Sequence, residues 1–438
     1  MSDKFNIIIK NGYCFINGAL TKKDVGINGE KILKIGKLDK EQGAIIYDAK
    51  NKIILPGVID TQVHFREPGE NNAENLESGS KAAIAGGVTS VFEMPNTNPP
   101  TSSFKEFNKK LESAKGRMFC NYAFYFGATP DNMQELSLVK TLKGCCGIKL
   151  FAGSSTGNLL VSNEEDIEKV ISNSNKIISV HSEDENILQN RKKFIRDGDV
   201  SSHPIWRNEE CALESTKRVV KFAKKYKKNI HILHVSTKQE IDFFLKNRDG
   251  VTFEITPQHL TLFAPDCYEK LKTFSQMNPP LRSKDHYDRL WDAVKESLVS
   301  TIGSDHAPHT KEEKLRKYPL SPSGMPGVQT LLPIMLNHVN NGKLNLANLI
   351  KLVCENPCNL FGIKNKGYIK ENYDADLTIV DMEKEFVIKD SWIESKCKWT
   401  PFNNFKVKGF PVATIVNGKI VMKDGKITSK PLGQPLIF

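Results

Sequence analysis

Residues 57–70 read GVIDTQVHFREPGE, an apolar run that passes into a polar loop carrying one histidine, one arginine and several carboxylates. The side chains of a strand alternate between its two faces, so Gln62, His64 and Arg66 share one face of this one. Seven further segments have the same texture: VTSVFEMPN (88–96), FCNYAFYFGA (119–128), CGIKLFAG (146–153), KIISVHSE (176–183), NIHILHVS (229–236), VTFEITPQH (251–259) and LVSTIGSDH (298–306). Helical patterns separate most of them. EECALESTKRVVKFAKKY (209–226) repeats its apolar residues at three and four, and SNEEDIEKVI (162–171) opens with Ser162 and Glu165 at capping-box spacing. Eight continuous apolar strands alternating with helices predict an α/β fold, a parallel (β/α)8 barrel spanning 56–364.

The two ends differ from this middle and resemble each other. FNIIIKNGYCFINGAL (5–20) and KILKIGKL (31–38) alternate like strands, as do DADLTIVDM (374–382) and ATIVNGKIVMKDGKI (413–427). Asn-Gly pairs in the first group suit hairpin turns, and Gly-rich turns in the second repeat that texture. Residues 1–55 and 365–438 are therefore expected to pair into one small β-sandwich.

Composition excludes several classes of function. The chain has 438 residues and a hydrophobic fraction of 39%, enough for a large core, and no apolar run approaches the roughly 18 residues needed to cross a bilayer. The N-terminal stretch lacks signal-peptide architecture, so a cytoplasmic protein without a membrane partner is expected. A net charge of +11 raises the question of nucleic acid. The lysines are scattered among acidic residues with no interleaved aromatics, which argues against that partner and leaves attraction of a small anion. Nine cysteines without a Cys-x-x-Cys pair point to reduced, buried thiols.

A barrel of this kind carries its chemistry at the C-terminal ends of its strands. The polar residues there are Gln62, His64 and Arg66, Asn96 after the second strand, Lys149 in the fourth, His181, His234 and Asp305. A lone strand-end histidine is most often a hydrogen-bonded core residue. Three of them with an aspartate, each otherwise a separate burial cost, have the ligand set of a zinc-type hydrolytic centre. In this company Lys149 can lose its charge and take up CO₂ as a bridging carbamate, and Arg66 can fork onto a substrate carboxylate.

Over essentially its whole length the chain resembles the dihydroorotases of the amidohydrolase superfamily. The matching motifs are DTQVHFREPG, MPNTNPPT, GIKLF, VHSE, HILHVS, NPPLR, SDHAPHT and MPGVQTLLP, in this order and at these strand positions. The resemblance implies the same barrel and sandwich. It implies metal ligation, by one or two zinc ions, through His64, carboxylated Lys149, His181, His234 and Asp305, with Asp305 also the general acid/base. It implies that Arg66, Asn96 and His309 hold a substrate carboxylate, and that Asn278 and the backbone from Met325 to Gly327 meet a pyrimidine ring. The reaction implied is the reversible cyclisation of N-carbamoyl-aspartate to dihydroorotate, with a homodimer and association with aspartate carbamoyltransferase as family expectations. Two rivals are a cyclic amidase such as an allantoinase or hydantoinase, and a noncatalytic dihydroorotase-like subunit.

One position departs from the family's His-x-His pattern. Gln62 stands where the first histidine is expected. A glutamine carbonyl is a neutral, weaker donor to zinc than imidazole, so a weakened first metal position in an active enzyme is expected.

Overall fold

The computed structural model describes residues 5–38, 43–155, 157 and 159–438; the expected N-terminal segment thus includes positions 1–4 and 39–42, outside the described residues. The eight predicted strands all form. They are β1 (Val58–Val63), β2 (Val88–Glu93), β3 (Asn121–Gly127), β4 (Cys145–Phe151), β5 (Ile178–His181), β6 (Ile230–Ile232), β7 (Val251–Ile255) and β8 (Thr301–Ile302). They lie side by side in sequence order as one parallel sheet, apart from its closure. That closure is made beyond β8, where Val63 bridges His306 and the His64 amide donates to the His306 carbonyl at 2.7 Å.

Strand length follows backbone chirality. His234 and Asp305 have φ of +38° and +44°, the left-handed region that ends a strand for any residue with a Cβ. Hence β6 stops two residues before His234, and β8 three before Asp305. Both side chains then hang from the strand-to-loop transition.

The crossover helices start where a short polar side chain can take an orphan amide. Asn208 accepts from the Cys211 amide and opens the helix Glu209–Tyr226, matching the expected segment. The helix Glu164–Asn173 begins one residue later than its sequence suggests: Asn163, not Ser162, is the cap, accepting from the Glu165 amide. All nine cysteines are buried and unpaired, and among the described residues no helix is long and apolar enough to cross a membrane.

The termini build two mixed sheets. Strands Phe5–Lys10, Asp24–Asn28, Lys31–Gly36 and Gly43–Asp48 form the smaller. In the larger, Ile53–Pro56 runs parallel to Tyr13–Ile16 and antiparallel to Leu377–Val387, knitting the two ends together. Ile7, Ile9, Val25 and Ile27 of one sheet meet Ile54, Leu377, Ile379 and Ile415 of the other in a shared apolar core. Asn17-Gly18, Asn417-Gly418 and Asp424-Gly425 each carry two positive φ values, the signature of the tight hairpin turn expected from such pairs. Gly57 joins this layer to β1 where a Cβ would lie 2.4 Å from Thr89 Oγ1 of the barrel and 2.8 Å from Asp376 Cβ on the sandwich side, so glycine lets the two layers meet this closely.

Candidate active site at the barrel mouth

The C-terminal ends of the strands surround a narrow, partly open cavity. It is lined by Gln62, His64 and Arg66 from β1, Asn96 after β2, Lys149 from β4, His181, His234 and Asp305 from β5, β6 and β8, and Asn278. His309 stands behind Arg66, its Nε2 3.3 Å from Arg66 Nη2. The side chains singled out in the sequence are therefore brought together at this mouth. The far wall differs from expectation. It is made by Ser323 and Gly324, whereas the Gly327 amide is committed to His306 Nδ1 at 3.0 Å.

Three of these residues, Arg66, His234 and Asp305, have positive φ. Non-glycine residues reach that region at a cost and are held there by their surroundings, a concentration typical of functional sites. Here the strain turns side chains inward from strands that have already ended.

The donors stand in two pairs with Lys149 among them. Asp305 Oδ1 is 3.2 Å from His64 Nε2 and accepts from Gln62 Nε2 at 2.8 Å. His181 Nδ1 lies 3.1 Å from His234 Nε2. His181 Nε2 meets Glu183 Oε2 at 2.9 Å, so it carries the proton and Nδ1 turns a lone pair toward His234. His64 has acceptors on both sides, with Asn96 Oδ1 2.8 Å from Nδ1. A neutral imidazole cannot donate to both.

Burial pushes the His64, His181 and His234 pKa values down, so these rings are neutral. Burial also pushes the Lys149 ammonium down to about 7, against the pull of Asp305 and Glu254, and its Nζ has no hydrogen-bond partner among the described residues. Burial alone would raise the Asp305 carboxyl. The hydrogen bond with His64 leads the contributions that outweigh it and holds the Asp305 carboxyl well below the usual carboxylate range.

Among the described residues no three His, Cys, Asp or Glu side chains form a ready-made metal cage. Yet the donor set fits a divalent cation. Neutral imidazole lone pairs face a carboxylate and one another, and the remaining group is a buried lysine nitrogen with nothing to bond. A cation relieves each of these at once, and a lysine carbamate supplies the oxygen donors that the amine lacks.

Comparison with known proteins agrees with this geometry. Residues 53–421 match the family model described as the amidohydrolase family. The chain belongs to the amidohydrolase family.

Among relatives of this amidohydrolase, the dihydroorotase of Pyrococcus abyssi is 36% identical, with 97% of each chain covered. The dihydroorotase of Methanosarcina acetivorans is 33% identical over 97% of this chain and 94% of its own. Among solved structures, the L-hydantoinase (dihydropyrimidinase) of Arthrobacter aurescens superposes with a TM-score of 0.94 at 28% identity, covering 99% of both chains.

The amidohydrolase also uses residues that its strand pattern does not reveal. Glu183, two residues beyond His181, receives Arg207 Nε at 3.0 Å while holding His181, and both partners are buried. Arg207 Nη2 reaches on to the Ser154 carbonyl at 2.6 Å. Lys314 is fully buried, with no carboxylate partner among the described residues. Its Nζ donates to the carbonyls of Gln276, Pro322 and Gly324 at 2.8–3.1 Å and so fixes the far wall. The sequence signal for these was weak: a charged residue in a crossover segment normally reads as solvent-exposed.

Proposed function

We propose that this protein is a dihydroorotase, reversibly interconverting N-carbamoyl-L-aspartate and dihydroorotate in pyrimidine biosynthesis. The observation that carries this reading is Arg66. Its guanidinium is buried at the cavity, and the nearest acidic oxygen, on the exposed Glu70, is 3.8 Å away. A buried guanidinium so loosely paired is matched by a carboxylate from the ligand, and bidentate pairing gives that carboxylate one orientation. Both molecules in the proposed reaction carry a carboxylate; hydantoins and allantoin do not. The dihydroorotase relatives at 33–36% identity support the same choice over the hydantoinases, which share the frame at 28%.

Lys149 as its carbamate, His181 and His234 would hold a zinc ion, and His64, Lys149 and Asp305 a second, weaker one. Bound there, zinc polarises an amide carbonyl and lowers the pKa of water to about 7. The protein's own part is orientation and proton movement. Arg66, with Asn96 and His309, fixes the carboxylate end of the ligand and so places the ring amide over Asp305. Asp305 Oδ1 is engaged by Gln62 and His64, which leaves Oδ2 to take the proton of the attacking water. As the ring C–N bond breaks, that proton passes to the departing nitrogen; in cyclisation it returns.

The test is an assay of the purified protein, supplied with zinc and bicarbonate, against dihydroorotate, carbamoyl-aspartate, hydantoin, dihydrouracil and allantoin. Turnover of the two anionic compounds is expected. Turnover of the uncharged rings alone sinks the proposal in favour of a hydantoinase or allantoinase, and inertness toward all five favours a noncatalytic subunit.

A further inference from the structure

His203 lies in the crossover after β5, in the single turn His203–Trp206, and is fully buried. Its Nε2 lies 3.1 Å from the Met277 carbonyl and 2.9 Å from Asn278 Oδ1. A backbone carbonyl only accepts, so Nε2 carries the ring proton. Burial and the neighbouring Arg207 push the His203 pKa down to about 3, so the ring holds one proton only. Nδ1 is then an acceptor, and the Tyr318 hydroxyl faces it at 3.4 Å.

This fixes more than the histidine. The amide atom of Asn278 that faces Nε2–H must be its oxygen, because the amino group would set donor against donor. The amino group has no partner among the described residues, and Asn278 lines the cavity. We infer that His203 is a positioning residue that presents Asn278 to the ligand as a hydrogen-bond donor, so that the ligand group opposite is a carbonyl oxygen. This rests on the reading of the mouth as a cyclic-amide site. It adds the chemical sense of one wall: a ring carbonyl is selected there, and a ring N–H is refused.

The same turn reaches the other half of the site. Arg207, four residues on, holds Glu183, and Glu183 sets the proton of His181. One crossover turn therefore sets the tautomer beside the proposed metal position and the amide sense at the substrate wall.

Two measurements test the inference. A long-range proton–nitrogen correlation spectrum of histidine-labelled protein, with His203 assigned by H203Q, reads the tautomer without any turnover. A proton on Nε2 is expected; one on Nδ1 overturns the inference whatever the enzyme does. In kinetics with dihydroorotate, H203F is expected to raise KM about tenfold, the worth of one hydrogen bond, with kcat little changed. H203Q, which restores a donor near the Nε2 position, should recover most of that loss. N278D, offering the ligand an oxygen, should fall below N278A in kcat/KM. Equal KM for H203F and H203Q, both folded by thermal melting, or N278D matching N278A, overturns the inference. A wild-type enzyme inert toward dihydroorotate removes the proposed reaction instead and leaves the spectrum to decide on His203.

Discussion

Gln62 Nε2 donates to Asp305 Oδ1 across 2.8 Å, tying the end of the first barrel strand to the loop after the last. An imidazole at position 62 would turn a lone pair into the cavity, whereas this amide turns a donor toward the carboxylate that is expected to hold a cation. The two roles compete for one oxygen. Q62H is therefore expected to tighten zinc binding roughly tenfold or more and to raise the metal retained per chain after dialysis. Elemental analysis of both proteins checks it; equal content would show that Gln62 does not limit the site.

The Lys149 ammonium, pushed down to about 7 by burial, sheds its proton near neutrality rather than near its ordinary 10.5. Only the free amine reacts with CO₂. Metal uptake by stripped protein should accordingly be faster at pH 8 than at pH 6 and faster with added bicarbonate, and K149M should show neither dependence. Zinc uptake followed with a metal-indicator dye measures this; a rate indifferent to bicarbonate would remove the carbamate from the site.

Arg66 and its neighbours make a separable prediction about charge. R66K keeps the positive charge but loses the planar fork, so dihydroorotate KM should rise about tenfold or more while any turnover of uncharged dihydrouracil stays level. Steady-state kinetics on both compounds decides. A parallel loss on both would mean that Arg66 serves the fold.

The barrel, and the identity of the residues at its mouth, were legible because each chemical group follows an apolar run within a few positions: His64 after β1, Lys149 inside β4, His181 at the end of β5. Period-2 alternation then fixes which of them share a face. What stayed hidden depends on tertiary partners. Glu183, Arg207 and His203 acquire meaning only when a crossover turn folds back over the mouth. Ser323 and Gly324, rather than Met325 to Gly327, form the far wall because His306 claims the Gly327 amide and Lys314 gathers three carbonyls, contacts that no local pattern encodes. The helix start at Asn163 in place of Ser162 was a choice between two good caps one residue apart.

The Glu183–Arg207 pair is buried on both sides. Burial would raise the Glu183 carboxyl; Arg207 and His181 overcome it and hold Glu183 ionised, well below the usual range. Removing one partner strands the other. E183Q is expected to cost about 3–5 kcal/mol of stability, much of it regained in the double variant E183Q/R207M. Urea denaturation of the three proteins measures the coupling; additive losses would show that the ions are solvated independently.

Asp60 supplies the clearest dependence on pH. It is fully buried inside the barrel, where Oδ1 accepts from the amides of Gln62 and Ser304 while Oδ2 has no partner among the described residues. Burial, countered in part by Ser304, pushes its pKa from 3.8 up to about 7. The folded state therefore binds a proton that the unfolded chain releases between pH 4 and 7. The stability this proton confers is complete below pH 4, is lost as pH rises through 7, and changes no further above that. D60N keeps the accepting oxygen and puts a neutral amide where the proton sat. It should match the wild type to within about 1 kcal/mol at pH 4 and exceed it by a few kcal/mol at pH 8, since each pKa unit is worth about 1.4 kcal/mol. Urea midpoints across that range provide the check. A difference between the two proteins that does not grow with pH would mean that Asp60 is already ionised in the folded barrel.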